Sequence, residues 1–173
     1  MRLVDDFRAV GVNDVVSSEG PDIPHAPDTF LDMVLLCEQI QPGAAVKAFS
    51  VDFAHAYNHV PLIRSHGGFA TILLAPPGGD MKMAPLRTHP FDSRRSPANW
   101  GRVAAFVRWS RVVLFGINLA AYVGDFFSVA PAAATVSDFG TVKRLAELAG
   151  LELDDWKGNG PTTEIELLVA HLS

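Results

Sequence analysis

The chain has 173 residues, of which 49% are apolar and 19% charged, and its formal net charge is −5. A chain this apolar is excluded from the disordered class, and its length fits one domain, or one domain with a small appendage. A single cysteine, Cys37, cannot form an internal disulfide, which excludes a cross-linked secreted scaffold and leaves an intracellular, non-secreted protein as the expectation.

Leu3 to Phe7 reads as a short strand, and Gly20 to Pro27, with three prolines and a glycine, as a loop. Asp28 is suited to cap a helix running to Ile40, with Phe30, Leu31, Val34, Leu35 and Ile40 near helical spacing, and Gln41-Pro42-Gly43 ends it. Val46 to Phe53 alternates apolar and polar residues and predicts a strand that carries Asp52 close to its end. Ala54 to Val60 has room for two helical turns before Pro61. The runs Phe69–Ala75 and Met81–Leu86 flank Pro76-Pro77-Gly78-Gly79-Asp80 and predict a hairpin. Ser96 and Pro97 suit the cap and first position of a helix reaching Phe115, with a stripe at Trp100, Val103, Ala104, Val107 and Val112.

The longest apolar run, Val112 to Val123, is interrupted by Gly116 and Asn118. It falls well short of the roughly 20 residues a membrane span needs and reads as buried core. Asn118–Val123 and Phe126–Ala130 predict two strands about a Gly124-Asp125 turn. Ser137 predicts the cap of a helix from Asp138 to Ala149, and Leu151–Leu153 and Thr163–Val169 are the expected closing strands. Met1 to Asp6 lacks the apolar core of a secretory signal, and patterned sequence begins at once, so the chain is expected to be a piece of something longer. The sum is an α+β domain with helices packed on one face of an antiparallel sheet.

Charge is uneven along the chain. Residues 1–34 balance at −5, residues 136–173 at −4, and residues 82–111 at +6, the last from Lys82, Arg87, Arg94, Arg95, Arg102, Arg108 and Arg111 against Asp92. A basic stretch within an acidic chain is either a phosphate-binding face or a solvated helix surface.

Two carboxylates stand where chemistry is commonly found. Asp52 lies at a strand end and Asp125 at a hairpin tip; if those strands are neighbours, both side chains meet at one end of the sheet. Magnesium is usually held by one or two carboxylates plus substrate phosphates, and a pair of such ions can clamp both oxygens of a phosphoryl transfer. Taken singly, Asp52 reads rather as the cap of the helix that follows it and Asp125 as a hairpin-turn residue.

The surrounding residues resemble a known family. Val51-Asp52-Phe53-Ala54-His55-Ala56-Tyr57 is similar to the first palm motif of reverse transcriptases, an aspartate followed five residues later by the aromatic of an Ala-Tyr pair. His89-Pro90-Phe91-Asp92 with Ser96-Pro97 resembles the second motif, Pro-Phe-Gly followed by a proline that opens a helix. Tyr122-Val123-Gly124-Asp125 resembles the third, Tyr-x-Asp-Asp on a hairpin. Gly150-Leu151-Glu152-Leu153 with Lys157 resembles the fourth, Glu164 to Leu172 the strand that follows it, and Arg2 to Arg8 the fingers strand that precedes the palm.

The resemblance implies a palm-like antiparallel sheet at 46–173 with part of the fingers at 1–45 and no thumb or ribonuclease H region. It implies a retroelement origin and template-directed DNA synthesis on a nucleic-acid template and primer, using deoxynucleotides and Mg²⁺ or Mn²⁺. Asp52 and Asp125 would be the catalytic metal ligands, with the backbone carbonyl of Phe53 beside them. Tyr57 would pack on the sugar of the incoming nucleotide, Phe91 would line the base-pair side, Arg2 would pair with the triphosphate, and Lys157 would assist the leaving pyrophosphate.

Two departures predict impaired catalysis and a weakly held cation. Gly124 replaces the first aspartate of the third motif, removing about one formal charge from a site where electrostatic stabilisation is commonly worth several kcal/mol. Asp92 replaces a glycine in the second motif, adding bulk and negative charge where polyphosphate must approach. A non-catalytic nucleic-acid-binding or scaffolding domain on the same fold is the alternative. The spacing of the histidines and Cys37 does not suggest zinc; His55 and His59 share a helical spacing without a third ligand.

Overall fold

The computed structural model describes residues 28–66, 70–74, 77–91, 93–167 and 170–172. The expected strand Leu3–Phe7 and loop Gly20–Pro27 lie outside the described residues. In chain order the elements are α1 (Asp28–Ile40), β1 (Val46–Asp52), two 3₁₀ turns (Ala56–His59 and Arg64–His66), β2 (Thr71–Leu74), β3 (Lys82–Pro85), α2 (Ser96–Phe115), β4 (Ala120–Tyr122), β5 (Asp125–Pro131), α3 (Ala132–Leu148), β6 (Asn159–Thr162), β7 (Ile165–Leu167) and β8 (Ala170–Leu172). The described residues form two compact units, one from residues 55–102 and one from residues 28–54 and 103–172. No helix among them is long and apolar enough to cross a membrane.

The second unit is built on a four-stranded sheet of order β4-β5-β1-β6, antiparallel at every pairing. Its long central pair runs in unbroken register from Val46 opposite Pro131 to Asp52 opposite Asp125. Side chains alternate between faces along a strand, so Val46, Ala48, Ser50 and Asp52 share one face with Phe127, Val129 and Asp125. Helix α1 covers the near end of that face: Met33 and Cys37 are buried against Ala48, Ala120, Phe127 and Val129, with Phe30, Val34 and Val46 packed beside them. The aspartates lie at the far end.

On the opposite face Phe49 meets Phe139 of α3 edge to face, with ring centroids 5.5 Å apart, and Val142 and Ala146 are fully buried. The α+β class and the antiparallel sheet are thus as predicted, but the helices divide between the two faces rather than sharing one. The reason is visible in β1, where apolar residues occupy both parities (Val46 and Ala48, Phe49 and Val51), so each face needs a cover.

Helix α3 starts at Ala132, six residues before the predicted Asp138, and Ser137 is not its cap. Three consecutive alanines, strong helix formers, carry the helix back to Pro131. The buried Thr135 hydroxyl donates to the carbonyls of Pro131 (2.9 Å) and Ala130 (3.2 Å).

The closing strands also differ. Leu153 makes only an isolated bridge to Phe53, while Asn159–Thr162 pairs with β1 across a bulge. Asn-Gly-Pro reads as a turn in sequence, yet it is tolerated in a strand at a sheet edge. The expected Thr163–Val169 strand is replaced by the separate pair β7–β8.

In the first unit β2 and β3 form the predicted hairpin, Thr71 opposite Pro85 and Leu74 opposite Lys82. Ala54–Val60 forms a single 3₁₀ turn in place of two helical turns, because His55 adopts a left-handed backbone (φ 54°) that interrupts it. Helix α2 keeps its predicted bounds, but the Ser96 hydroxyl donates to the Pro90 carbonyl at 2.6 Å instead of capping the helix.

Candidate active site

The two aspartates face each other directly across the β1–β5 pair. Directly opposed antiparallel residues place their Cβ atoms about 4.5–5.5 Å apart on one face, so two carboxylates far apart in sequence become neighbours. The hairpin tip is one residue earlier than predicted. Val123 and Gly124 form the turn, and Asp125 opens β5 opposite Tyr122. That shift matters because strand parity decides which face a side chain takes.

Val123 has φ 54°, a conformation that β-branched residues rarely adopt and that costs about 1–3 kcal/mol. The strained tip is pinned by the Phe53 N–H, which donates to the Gly124 carbonyl at 2.9 Å. On the opposite face, Phe53 and Phe126 pack edge to face at 4.7 Å, both fully buried. The carboxylates therefore stand over a buried apolar floor.

Electrostatics reflect this crowding. The Asp125 carboxyl is pushed up to about 6 from the usual 3.8, first by burial and then by the neighbouring charge of Asp52, with Lys157 acting in the opposite sense. Asp52, 9% exposed, accepts a hydrogen bond from Lys157 Nζ at 3.0 Å.

Lys157 is delivered by the loop after α3. Two backbone bonds tie that loop to the end of β1: Asp154 N–H donates to the Asp52 carbonyl (2.8 Å) and Ala54 N–H to the Glu152 carbonyl (3.0 Å). The Asp154 side chain then accepts from the Trp156 N–H at 3.1 Å, and its backbone carbonyl accepts from the N–H groups of Lys157 and Gly158, both at 3.3 Å. This turn aims the Lys157 ammonium at Asp52, with Asp154 Oδ2 3.7 Å away. Gly158 approaches β1 closely there, since a Cβ would lie 3.1 Å from the Ser50 carbonyl oxygen, tighter than an ordinary van der Waals contact. Asn159 continues the contact, its N–H donating to Ser50 Oγ at 3.2 Å. Trp156, at the outside of the turn, is 97% exposed.

The sequence singled out Lys157 but missed Asp154, Gly158 and Ser50, which hold it in place. The Asp-Asp-Trp-Lys-Gly run carried the signal, since an aspartate bonding its own chain two residues on is ordinary turn chemistry.

Tyr57 and Phe91 belong to the first unit, where their rings lie 5.4 Å apart. Tyr57 is buried and Phe91 63% exposed. Arg2 and Asp92 lie outside the described residues. The basic stretch is less uniform than its charge count suggests: Lys82, Arg87, Arg94 and Arg102 are exposed, whereas Arg111 is buried and Arg108 donates to the Leu119 carbonyl at 3.0 Å.

Among the described residues no three His, Cys, Asp or Glu side chains are grouped to hold a metal ion. The donors available are the paired carboxylates of Asp52 and Asp125, a set that suits Mg²⁺, which keeps several waters and uses one or two carboxylates together with substrate phosphates.

A solved foamy viral protease–reverse transcriptase in complex with double-stranded DNA superposes on 96% of the chain with a TM-score of 0.72 and 18% identity. The fold is reverse transcriptase-like. A foamy viral protease–reverse transcriptase in complex with an RNA/DNA hybrid matches 94% of the chain with a TM-score of 0.68, also at 18% identity. The chain spans 26% and 20% of those two chains. No family model matches the sequence, and no curated protein does either. Within this reverse transcriptase-like fold, the hairpin carrying Asp125 and the strand carrying Asp52 are central neighbours, and the loop carrying Lys157 closes on the end of β1.

Proposed function

We propose that this chain is the palm, with part of the fingers, of a retroelement reverse transcriptase, and that its nucleotidyl transfer is impaired. The observation that carries the reading is the pairing of Asp52 with Asp125 at one end of the sheet, within a reverse transcriptase-like fold. In this reading both carboxylates hold a divalent cation, Mg²⁺ or Mn²⁺, with the Phe53 carbonyl beside them. When bound, the cation supplies charge stabilisation to the transferring phosphoryl group. Tyr57 packs against the sugar of the incoming deoxynucleotide, Phe91 lines the base-pair side, Arg2 pairs with the triphosphate and Lys157 with the departing pyrophosphate.

Impairment follows from Gly124, which contributes no side chain to the tip, and from Asp92, which adds negative charge where phosphates approach. With one carboxylate fewer, the cation is held weakly and the loss of turnover is deep rather than modest. Primer extension with Mg²⁺ or Mn²⁺ tests this. The wild-type chain is expected to extend a primer barely or not at all. Gly124→Asp combined with Asp92→Gly is expected to restore more synthesis than either change alone. Robust extension by the wild type would overturn the impairment.

The exposed Lys82, Arg87, Arg94 and Arg102 favour a second reading, a non-catalytic domain that holds a nucleic-acid backbone. Phosphate contacts release counterions, so binding of a primer–template duplex that weakens steeply with salt, in the absence of any extension, supports it. Absent or salt-insensitive binding argues against it.

A further inference from the structure

Lys157 places its ammonium on one of the two oxygens that Asp52 could offer a cation. Its ammonium lies 3.0 Å from Asp52 Oδ2 and 3.7 Å from Asp154 Oδ2, and its positive charge is felt by the Asp125 carboxyl as well. The Asp52 side chain is only 11% exposed, so little of it is open to an approaching cation. The lysine is not there by chance of a long side chain. Its loop is fastened to the end of β1 by bonds at Asp52 and Ala54 and, beyond the turn, by the Asn159 N–H on Ser50 Oγ, and Gly158 approaches Ser50 closely at the exit of the turn.

We infer that Lys157 is a resident counter-ion that competes with a divalent cation for Asp52, so that metal enters the site by displacing the ammonium. This rests on the reading of Asp52 and Asp125 as cation ligands. A magnesium ion demands oxygen ligands at about 2.0–2.1 Å in near-octahedral geometry, which an ammonium in contact with the same carboxylate obstructs by repulsion and by volume. The resident charge also keeps the paired carboxylates compensated when no metal is bound. Once displaced, the ammonium is released beside the cation, where it is available to the phosphates of a bound nucleotide.

Isothermal titration of Mn²⁺ into the full chain tests the inference without any activity measurement. Lys157→Met is expected to bind Mn²⁺ about tenfold or more tightly than the wild type, Lys157→Arg to bind like the wild type, and Asp52→Asn to lose most of the binding. Lys157 is largely exposed, and thermal melts of each variant establish that it is folded. Unchanged or weaker binding by Lys157→Met, with Asp52→Asn still lost, would overturn the competition while leaving the cation site standing. Tighter binding by Lys157→Arg would overturn it too, because the charge would then not be the cause. If Asp52→Asn left Mn²⁺ binding unchanged, the cation-site reading would fall along with it.

Discussion

Asp125 shows how one residue's surroundings set its chemistry. In the unfolded chain an aspartate titrates near its ordinary value of 3.8, whereas here burial and the Asp52 charge push it to about 6. Between those values the native state binds more protons than the unfolded state, so this group favours folding at low pH and loses that contribution as pH rises through 6. Asp125→Asn, which cannot ionise, is therefore expected to flatten the fall in melting temperature between about pH 4 and 6 and to be more stable than the wild type at pH 7–8. Parallel melting curves for the two proteins would contradict this. The identity of Asp125 as a candidate was legible from Tyr122-Val123-Gly124-Asp125, but its parity was not. A Gly-Asp pair is the obvious turn dipeptide, whereas the chain makes its turn with a strained Val123 and keeps Asp125 in the strand.

Elements were legible where local signals agreed and illegible where packing overrode them. Helix α1 has the predicted bounds, with spacing and terminating glycine in agreement; Gly43 takes φ 72° there and its N–H donates to Glu38 Oε1 at 3.1 Å. Helix α2 was placed correctly, but its stripe continues from Trp100, Ala104 and Val107 to Arg111 rather than Val112, which is 48% exposed.

Arg111 is thus a cation on a buried seam. Its Nη2 reaches the Val142 carbonyl at 3.5 Å, its Nη1 the Ser110 hydroxyl at 3.4 Å, and its Nε has no partner among the described residues. Burial lowers its guanidinium pKa. Replacing a buried ion by an apolar side chain of similar volume is often stabilising. Arg111→Met is accordingly expected to raise the urea midpoint by an amount equivalent to about 1 kcal/mol or more, and a lowered midpoint would show that the buried bonds outweigh the desolvation.

The loop after α3 makes the opposite prediction. A methyl group at position 158 would press on the Ser50 carbonyl, and overpacking of this kind costs about 1–3 kcal/mol. Gly158→Ala is expected to lower the urea midpoint correspondingly; an unchanged midpoint would mean that the loop is not held by that close approach.

At the scale of the whole molecule, the ordered motifs made the reverse transcriptase-like fold legible despite 18% identity to the solved chains, because each motif marks a strand end, a turn or a helix start. What no local pattern could reveal was contact across long separations. Lys157 and Asp52 are 105 residues apart, and their meeting depends on β1, β5 and β6 being neighbours. The net charge was similarly uninformative, since the exposed Lys82, Arg87, Arg94 and Arg102 fall in one unit and the paired carboxylates lie in the other.

The cation-site reading and the role inferred for Lys157 depend on Asp52 and Asp125 being electrostatic neighbours, and ¹³C NMR titration of the aspartate side chains reads that adjacency directly. In the wild type Asp125 is expected to titrate near pH 6, and in Asp52→Asn its midpoint should fall toward the ordinary aspartate value. An Asp125 midpoint that is the same in both proteins would mean that the two carboxylates do not share a site.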